Sequence, residues 1–347
     1  LSKKTGLQAL NKLSLLHWHI EPSSICTLKC PRCPRAEVPE ILLNKQLTLD
    51  FFKDQIGKDV VRQMKKITFC GNDGDPIYCN DLIPIIKWIK QVNTDICIVL
   101  ITNGSHKKVS WWEELATVLD NKDEIHWSLD GWEQLSNEKY RINSDWDSIV
   151  NGITEFNRVN TSTYKVWAAI AFKFNEDYLH EMEHIANTMY FDAFQLTLST
   201  KFGSKYPKAY SANDDLEPTG NFIPDGHRFQ RNNTLLSAKT RYSETVKKYY
   251  KEKIAELSDP KLCLIGNKGV FLNSHGEFYP CCWTANRYAH NKEWIDLAQT
   301  KFNLHNTTFT KILNNKFWST KFLKFDSLEC TTKCNKECLK GEYLTDW

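Results

Sequence analysis

Cys26, Cys30 and Cys33 stand in the run CTLKCPRC, a C-x3-C-x2-C triplet on one short segment. Three thiolates so close in sequence can converge on one metal centre. Tetrahedral zinc would ask for a fourth protein ligand, and His17 and His19 are the near candidates. A [4Fe–4S] cube held by three thiolates instead leaves one iron open to an exogenous ligand. Pro31 and Pro34 remove backbone donors and resist helix formation, which suits a loop wrapped around a cluster. A second group, Cys263, Cys281, Cys282, Cys330, Cys334 and Cys338, crowds the end of the chain. Between them lie Cys70, Cys79 and Cys97; core packing is expected of all three, most firmly of Cys97 inside an apolar run. Twelve cysteines in 347 residues, in two dense groups flanking a sparse stretch, point to two metal sites. Thiols used in this way imply a reducing, cytoplasmic setting.

These thiols need a scaffold, and the first 200 residues supply its pattern. Short apolar runs at 15–20, 67–70, 96–101, 125–129, 166–172 and 193–198 read as strands. Helix-like stretches lie between them at 48–65, 80–92, 110–120, 145–158 and 176–190. Thr48 to Asp50, Asn80 with Asp81, and Ser144 with Asp145 offer N-cap chemistry before three of these. Such alternation predicts a parallel sheet covered by helices. Six strands are too few for a closed eight-stranded barrel, so an open partial (β/α)6 barrel of the TIM type is expected, with chemistry at the strand C-terminal ends. Residues 201–260 read as a loop followed by a charged helical linker, and 261–347 as a smaller cysteine-rich domain of β-hairpin and helix.

At the first cysteine triplet the chain resembles the radical S-adenosylmethionine (SAM) superfamily, whose hallmark is this spacing after the first strand of a partial barrel. Arg32 stands where family members usually carry an apolar residue before the third cysteine. Further motifs follow in the family's order. Gly71-Asn-Asp-Gly74-Asp75-Pro76, after the second strand, looks like its G-G-E-P motif, which implies that Gly74 and Asp75 hold the SAM amine. Thr102-Asn103-Gly104 matches its T-N-G, and Ser128-Leu-Asp130-Gly131 its S-x-D-G, where Ser and Asp approach the ribose. Lys173 and Asn175 end the fifth strand, where polar residues often meet SAM or substrate. Arg141, with Tyr140 beyond the D-G turn, suits an anionic substrate or the SAM carboxylate, although a salt bridge is an equal expectation.

Cys263-x12-Gly276-x4-Cys281 resembles the opening of the SPASM and twitch extensions, which hold auxiliary iron–sulfur clusters. The stretch GVFLNSHGEFYPCCW reads as a hairpin that returns Cys281 towards Cys263. Two of Cys330, Cys334 and Cys338 would complete one auxiliary [4Fe–4S] cluster with Cys263 and Cys281, with Cys334 and Cys338 preferred. A zinc ribbon is the alternative.

The resemblance implies reductive cleavage of SAM to a 5′-deoxyadenosyl radical that takes hydrogen from a substrate C–H bond. The substrate expected is a peptide or protein, oxidised or crosslinked; dehydrogenation or rearrangement of a small molecule is the alternative. Flavodoxin or ferredoxin is the implied electron donor. A non-catalytic zinc-binding protein is the rival of another class. The formal net charge of +3 and the absence of a basic, aromatic-interleaved stripe argue against nucleic acid. No apolar run approaches the roughly 18 residues of a membrane span, and no charged-then-apolar leader is read at the start. At 41% hydrophobic and 25% charged residues, the composition is that of a globular chain.

Overall fold

A computed structural model describes residues 16–31, 33, 35, 44–198, 216, 229–230, 270–279, 282, 285 and 292–315. Six strands run parallel and in chain order: β1 (His17–Ile20), β2 (Lys66–Phe69), β3 (Cys97–Thr102), β4 (Glu124–Ser128), β5 (Tyr164–Ala171) and β6 (Ala193–Leu198). This is the expected α/β architecture, and each strand falls within two residues of the run that announced it. Among the described residues the sheet continues past both ends. β7 (Phe229–Gln230) adds antiparallel to β6, and β8 (Val270–Leu272) adds parallel to β1, followed by antiparallel β9 (Phe278–Tyr279). The hairpin read in the cysteine-rich part therefore extends the barrel sheet itself. It covers the β1 edge, whose backbone groups would otherwise lack partners.

Strand periodicity divides the residues between two faces. One face carries Trp18, Ile20, Ile67, Phe69, Ile98, Leu100, Ile125 and Trp127, all buried in the main core. Helices cover that face. Those between β1 and β2 are α1 (Leu49–Phe51), a π-helical turn (Phe52–Ile56) and α2 (Lys58–Val61). A single helix over 48–65 does not form, because the backbone turns at Gly57 with φ of 78°. Next come α3 (Leu82–Val92), α4 (Val109–Ala116), α5 (Gln134–Glu138), α6 (Trp146–Val159) and α7 (Leu179–Thr188). α3 buries Leu82, Ile85, Ile86 and Ile89, each contributing roughly 1.5–3 kcal/mol of apolar burial. α6 passes closely over α4 at Gly152, where a Cβ would lie 2.3 Å from Trp112 Nε1. After β9, α8 (Lys292–Thr300) and α9 (Phe309–Leu313) close the described chain.

Two of the expected caps form with the named side chains. Thr48 accepts from Phe51 N and Asp145 from Ser148 N. Asp81 makes no cap of its own helix and accepts from Leu49 N at 2.9 Å instead, joining α1 to α3. Cys97 is half-buried rather than core, because it opens β3 at the N-terminal rim of the sheet.

Candidate active site

The cysteine loop leaves β1 at its C-terminal end and is held by the turns that follow the next three strands. Asp75 N donates to Ile25 O at 2.9 Å, Lys29 N to Ile142 O at 3.0 Å, and Asn143 Nδ2 to Thr27 O at 2.9 Å. Tyr78 OH lies 2.7 Å from Thr27 Oγ1 and donates to Ser105 O at 2.8 Å, so one phenol ties the loop to the T-N-G turn. Cys26, Cys30 and Cys33, none of them in a disulfide, are set together in an apolar patch with Leu28, Tyr140, Phe172 and Phe174. Burial pushes the Cys26 thiol up to about 12, and charge on Asp75 adds to this. Burial likewise pushes Cys30 up to about 11, against the pull of Arg141. These thiols stay protonated until a metal displaces the protons.

The glycines of the turn after β2 are required by backbone packing. A Cβ on Gly74 would lie 2.0 Å from Ser23 O, and one on Gly71 would lie 1.9 Å from Gly74 O. The turn is thus folded on itself and pressed against the start of the cysteine loop. Beneath it sits Glu21, whose Oε1 accepts from Asp73 N at 2.5 Å and Gly74 N at 3.0 Å.

Asp75 faces its neighbours on every side. Oδ1 accepts from Ile77 N at 3.1 Å and Thr102 Oγ1 at 2.8 Å; Oδ2 accepts from Asn103 N at 2.7 Å and Asn103 Nδ2 at 2.6 Å. Burial raises its pKa, while the donors of Asn103 and Thr102 pull it back down. The same Asn103 amide approaches Cys26 Sγ at 3.6 Å, which links the G-D-P turn, the T-N-G turn and the first thiol.

A second web lies on the other side. Asp130 Oδ1 accepts from Ile170 N at 2.7 Å and Oδ2 from Arg141 Nε at 2.6 Å. Burial disfavours the Arg141 cation, but Asp130 and Cys30 beside it raise its pKa above the ordinary value. Asn175 is fully buried; its Nδ2 donates to Asp130 O and Ile170 O, and its Oδ1 accepts from Phe172 N. Ser128 and Arg141 line a cavity in the barrel lumen, whereas Lys173 is exposed beyond the end of β5. Cys263, Cys281, Cys330, Cys334 and Cys338 lie outside the described residues, as do Arg32 and most of 201–260.

The three thiols suit a cubane better than a single ion. His17 Nε2 is 3.1 Å from Thr68 Oγ1 and His19 Nε2 contacts Cys70 Sγ, so both imidazoles are engaged away from the triplet. Among the described residues no three His, Cys, Asp or Glu side chains converge as ligands of one metal ion. A cubane presents separate irons to separate thiolates and does not need them to meet at a point. Three thiols on one loop also fit a cluster with one iron left open.

No protein-family model matches the chain. Among solved structures, SuiB of Streptococcus suis bound to S-adenosylmethionine superimposes with a TM-score of 0.58. That match is 16% identical and takes in 94% of this chain and 71% of that one. The likeness is one of fold. The same SuiB bound to its precursor peptide SuiA gives a TM-score of 0.53 at 16% identity, over 87% of this chain and 65% of that one. anSMEcpe with bound AdoMet and the Cp18Cys peptide gives 0.51 at 16% identity, over 93% and 88%. A different likeness, 32% identity over 156 residues to the GTPase Obg of Brachyspira hyodysenteriae, takes in 43% of this chain. The chain spans about a fifth of that curated relative, 22% of its length. It carries no G-x4-G-K-S/T phosphate loop.

Sequence reasoning passed over Glu21, Tyr78 and the His19–Cys70 contact. It also passed over the polar lining of the lumen, which includes His17, Lys66, Glu124 and His126. A signal was available in HWHI, KITF and EIHWS, where polar side chains recur at every second position of strands otherwise wholly apolar.

Proposed function

We propose that this chain is a radical SAM enzyme. Cys26, Cys30 and Cys33 would hold the [4Fe–4S] cluster, and SAM would sit at the C-terminal mouth of the barrel. When bound, the cluster supplies one-electron reduction of SAM, which releases a 5′-deoxyadenosyl radical able to take hydrogen from an unactivated C–H bond. The observation that carries this reading is the gathering of three cysteines outside any disulfide on the β1 loop, at the C-terminal end of six parallel strands.

The protein's own contribution is placement and the exclusion of water. Tyr140, Phe172 and Phe174 pack an apolar wall against the thiols, which shields a reactive species from solvent. Asn103 approaches Cys26 Sγ and polarises that sulfur, while Asp75 holds Asn103 in place. Gly71, Gly74, Asp75, Thr102 and Asn103 frame one side of the mouth; Ser128, Asp130, Arg141 and Asn175 frame the other, with Lys173 at its rim. Arg141, fixed by Asp130, offers its remaining guanidinium donors to a carboxylate.

The substrate proposed is a peptide or protein, in keeping with the peptides named in the SuiB and anSMEcpe structures. Cys263, Cys281, Cys330, Cys334 and Cys338 are proposed to supply an auxiliary cluster, and flavodoxin or ferredoxin the electron. The test is iron and sulfide content of anaerobically purified protein, followed by incubation with SAM and dithionite. Brown protein that yields 5′-deoxyadenosine supports the reading. Zinc-loaded protein without iron, or iron-replete protein that leaves SAM intact, overturns it.

A further inference from the structure

The apolar patch around the three cysteines is drawn from four separate stretches of chain. Leu28 and Cys30 come from the loop after β1, Tyr140 from the turn after α5, Phe172 and Phe174 from the end of β5, and Leu216 from the segment after β6. Cys26, Cys33 and Ile170 pack against it. Its rings are layered: the Tyr140 and Phe172 centroids lie 4.4 Å apart, and Phe172 and Phe174 stack at 5.5 Å with their planes 11° apart. Leu216 is 1% exposed, against 8% for Phe174 and Cys30. In the sequence it is the one large aliphatic residue of the run SANDDLEPTGN, flanked by Asp214, Asp215 and Glu217. A run so polar has no helix or strand periodicity that would bury a leucine. What buries it is the patch on the cysteine loop.

Resting on the function just proposed, we propose that Leu216 is a positioning residue for the cluster site: it completes the apolar wall around Cys30 and keeps water from the iron–sulfur centre that the thiolates would hold. Solvent exposure is one of the levers that set a cluster's reduction potential. The reduced cluster carries one more negative charge than the oxidised one, and water stabilises that charge better than hydrocarbon does. A wall closed by Leu216 therefore holds the potential low, which an electron bound for a sulfonium requires. The wall then depends on a residue outside the six barrel strands and the helices between them.

Two measurements on the full chain test this. In anaerobic, iron-loaded protein, a potentiometric titration followed by electron paramagnetic resonance reads the potential of the cluster whose signal responds to SAM. Leu216→Ser should shift that potential upward, and Leu216→Met should leave it at the parent value. In metal-free, reduced protein, alkylation by iodoacetamide read by mass spectrometry compares Cys30 with Cys97, which opens β3 at the opposite rim of the sheet. Leu216→Ser should raise the ratio of Cys30 to Cys97 labelling several-fold. Ile153→Ala, which empties the main core at α6 instead, should lower the melting temperature and leave both readouts unchanged. An unchanged value for Leu216→Ser in either measurement overturns the proposal, as does an Ile153→Ala variant that moves the labelling ratio as far. Iron-free parent protein sinks the proposed function, and the labelling ratio then still decides whether Leu216 shields Cys30. Iron-replete protein that cleaves SAM, with a ratio indifferent to Leu216, keeps the function and removes this inference.

Discussion

Arg141 donates from Nε to Asp130 Oδ2 at 2.6 Å, with the Asp130 side chain wholly shielded from water. Removing one member of a buried ion pair strands the other, at a cost of about 3–5 kcal/mol. Asp130→Asn and Arg141→Met should each lower stability in urea by that order. The double variant should recover part of the loss, because neither charge is left alone. Equal, additive losses would mean that the pair does not interact energetically.

Asp75 satisfies four donors with two oxygens. Asp75→Ala leaves Asn103 N and Ile77 N buried without acceptors, and each such donor costs about 1–3 kcal/mol. A destabilisation of several kcal/mol is expected. Iron retention should fall as well, because Asn103 is released from its place beside Cys26. Urea denaturation and iron per chain measure the two effects separately.

Gly74→Ala tests the contact between the turn and the cysteine loop. The added Cβ would lie 2.0 Å from Ser23 O, a backbone atom that cannot rotate away. A loss of roughly 1–3 kcal/mol is expected from overpacking. Iron loading should drop too, while the same change at half-buried Gly57, with φ of 78°, should cost stability without affecting iron.

Glu21 gives the fold a pH dependence of its own. Burial is the main cause that raises its pKa to about 8, with the charge of Asp73 adding to it. Its folded pKa exceeds the unfolded one, so its contribution is fully present below about 4.5 and is lost as pH rises through 8. Glu21→Gln keeps an acceptor for Asp73 N and Gly74 N but cannot ionise. Melting temperatures between pH 5 and 9 should therefore fall less steeply in the variant than in the parent protein.

Each of Cys26→Ala, Cys30→Ala and Cys33→Ala should abolish the iron held by the first loop. If a second cluster is present, about eight irons per chain should fall to about four rather than to zero. Iron analysis of the three variants therefore also counts the clusters. Retention of full iron in any of them would remove that cysteine from the ligand set.

The parallel strands were legible because a strand buried on both faces must be apolar, as in ICIVLI and VWAAIAF. The cysteine triplet was legible because its ligands are local in sequence. What escaped was long-range pairing. Glu21 meets Gly74 across more than fifty positions, and Asn175 meets Asp130 across forty-five. No local pattern announces such contacts. The sequence also placed Asp75 and Asn175 at strand ends but could not show that neighbouring turns consume their hydrogen-bonding capacity. The helix over 48–65 failed for a local reason, the positive φ at Gly57, a residue whose type was in plain view.

β8 joins β1 only after some 250 residues of intervening chain have been made. During synthesis the strand that launches the thiol-bearing loop can pair with β2 long before it acquires its second neighbour, β8. High contact order of this kind slows folding and leaves a sticky flank open to other nascent chains. A chain truncated before Val270 should aggregate even though all six barrel strands are present.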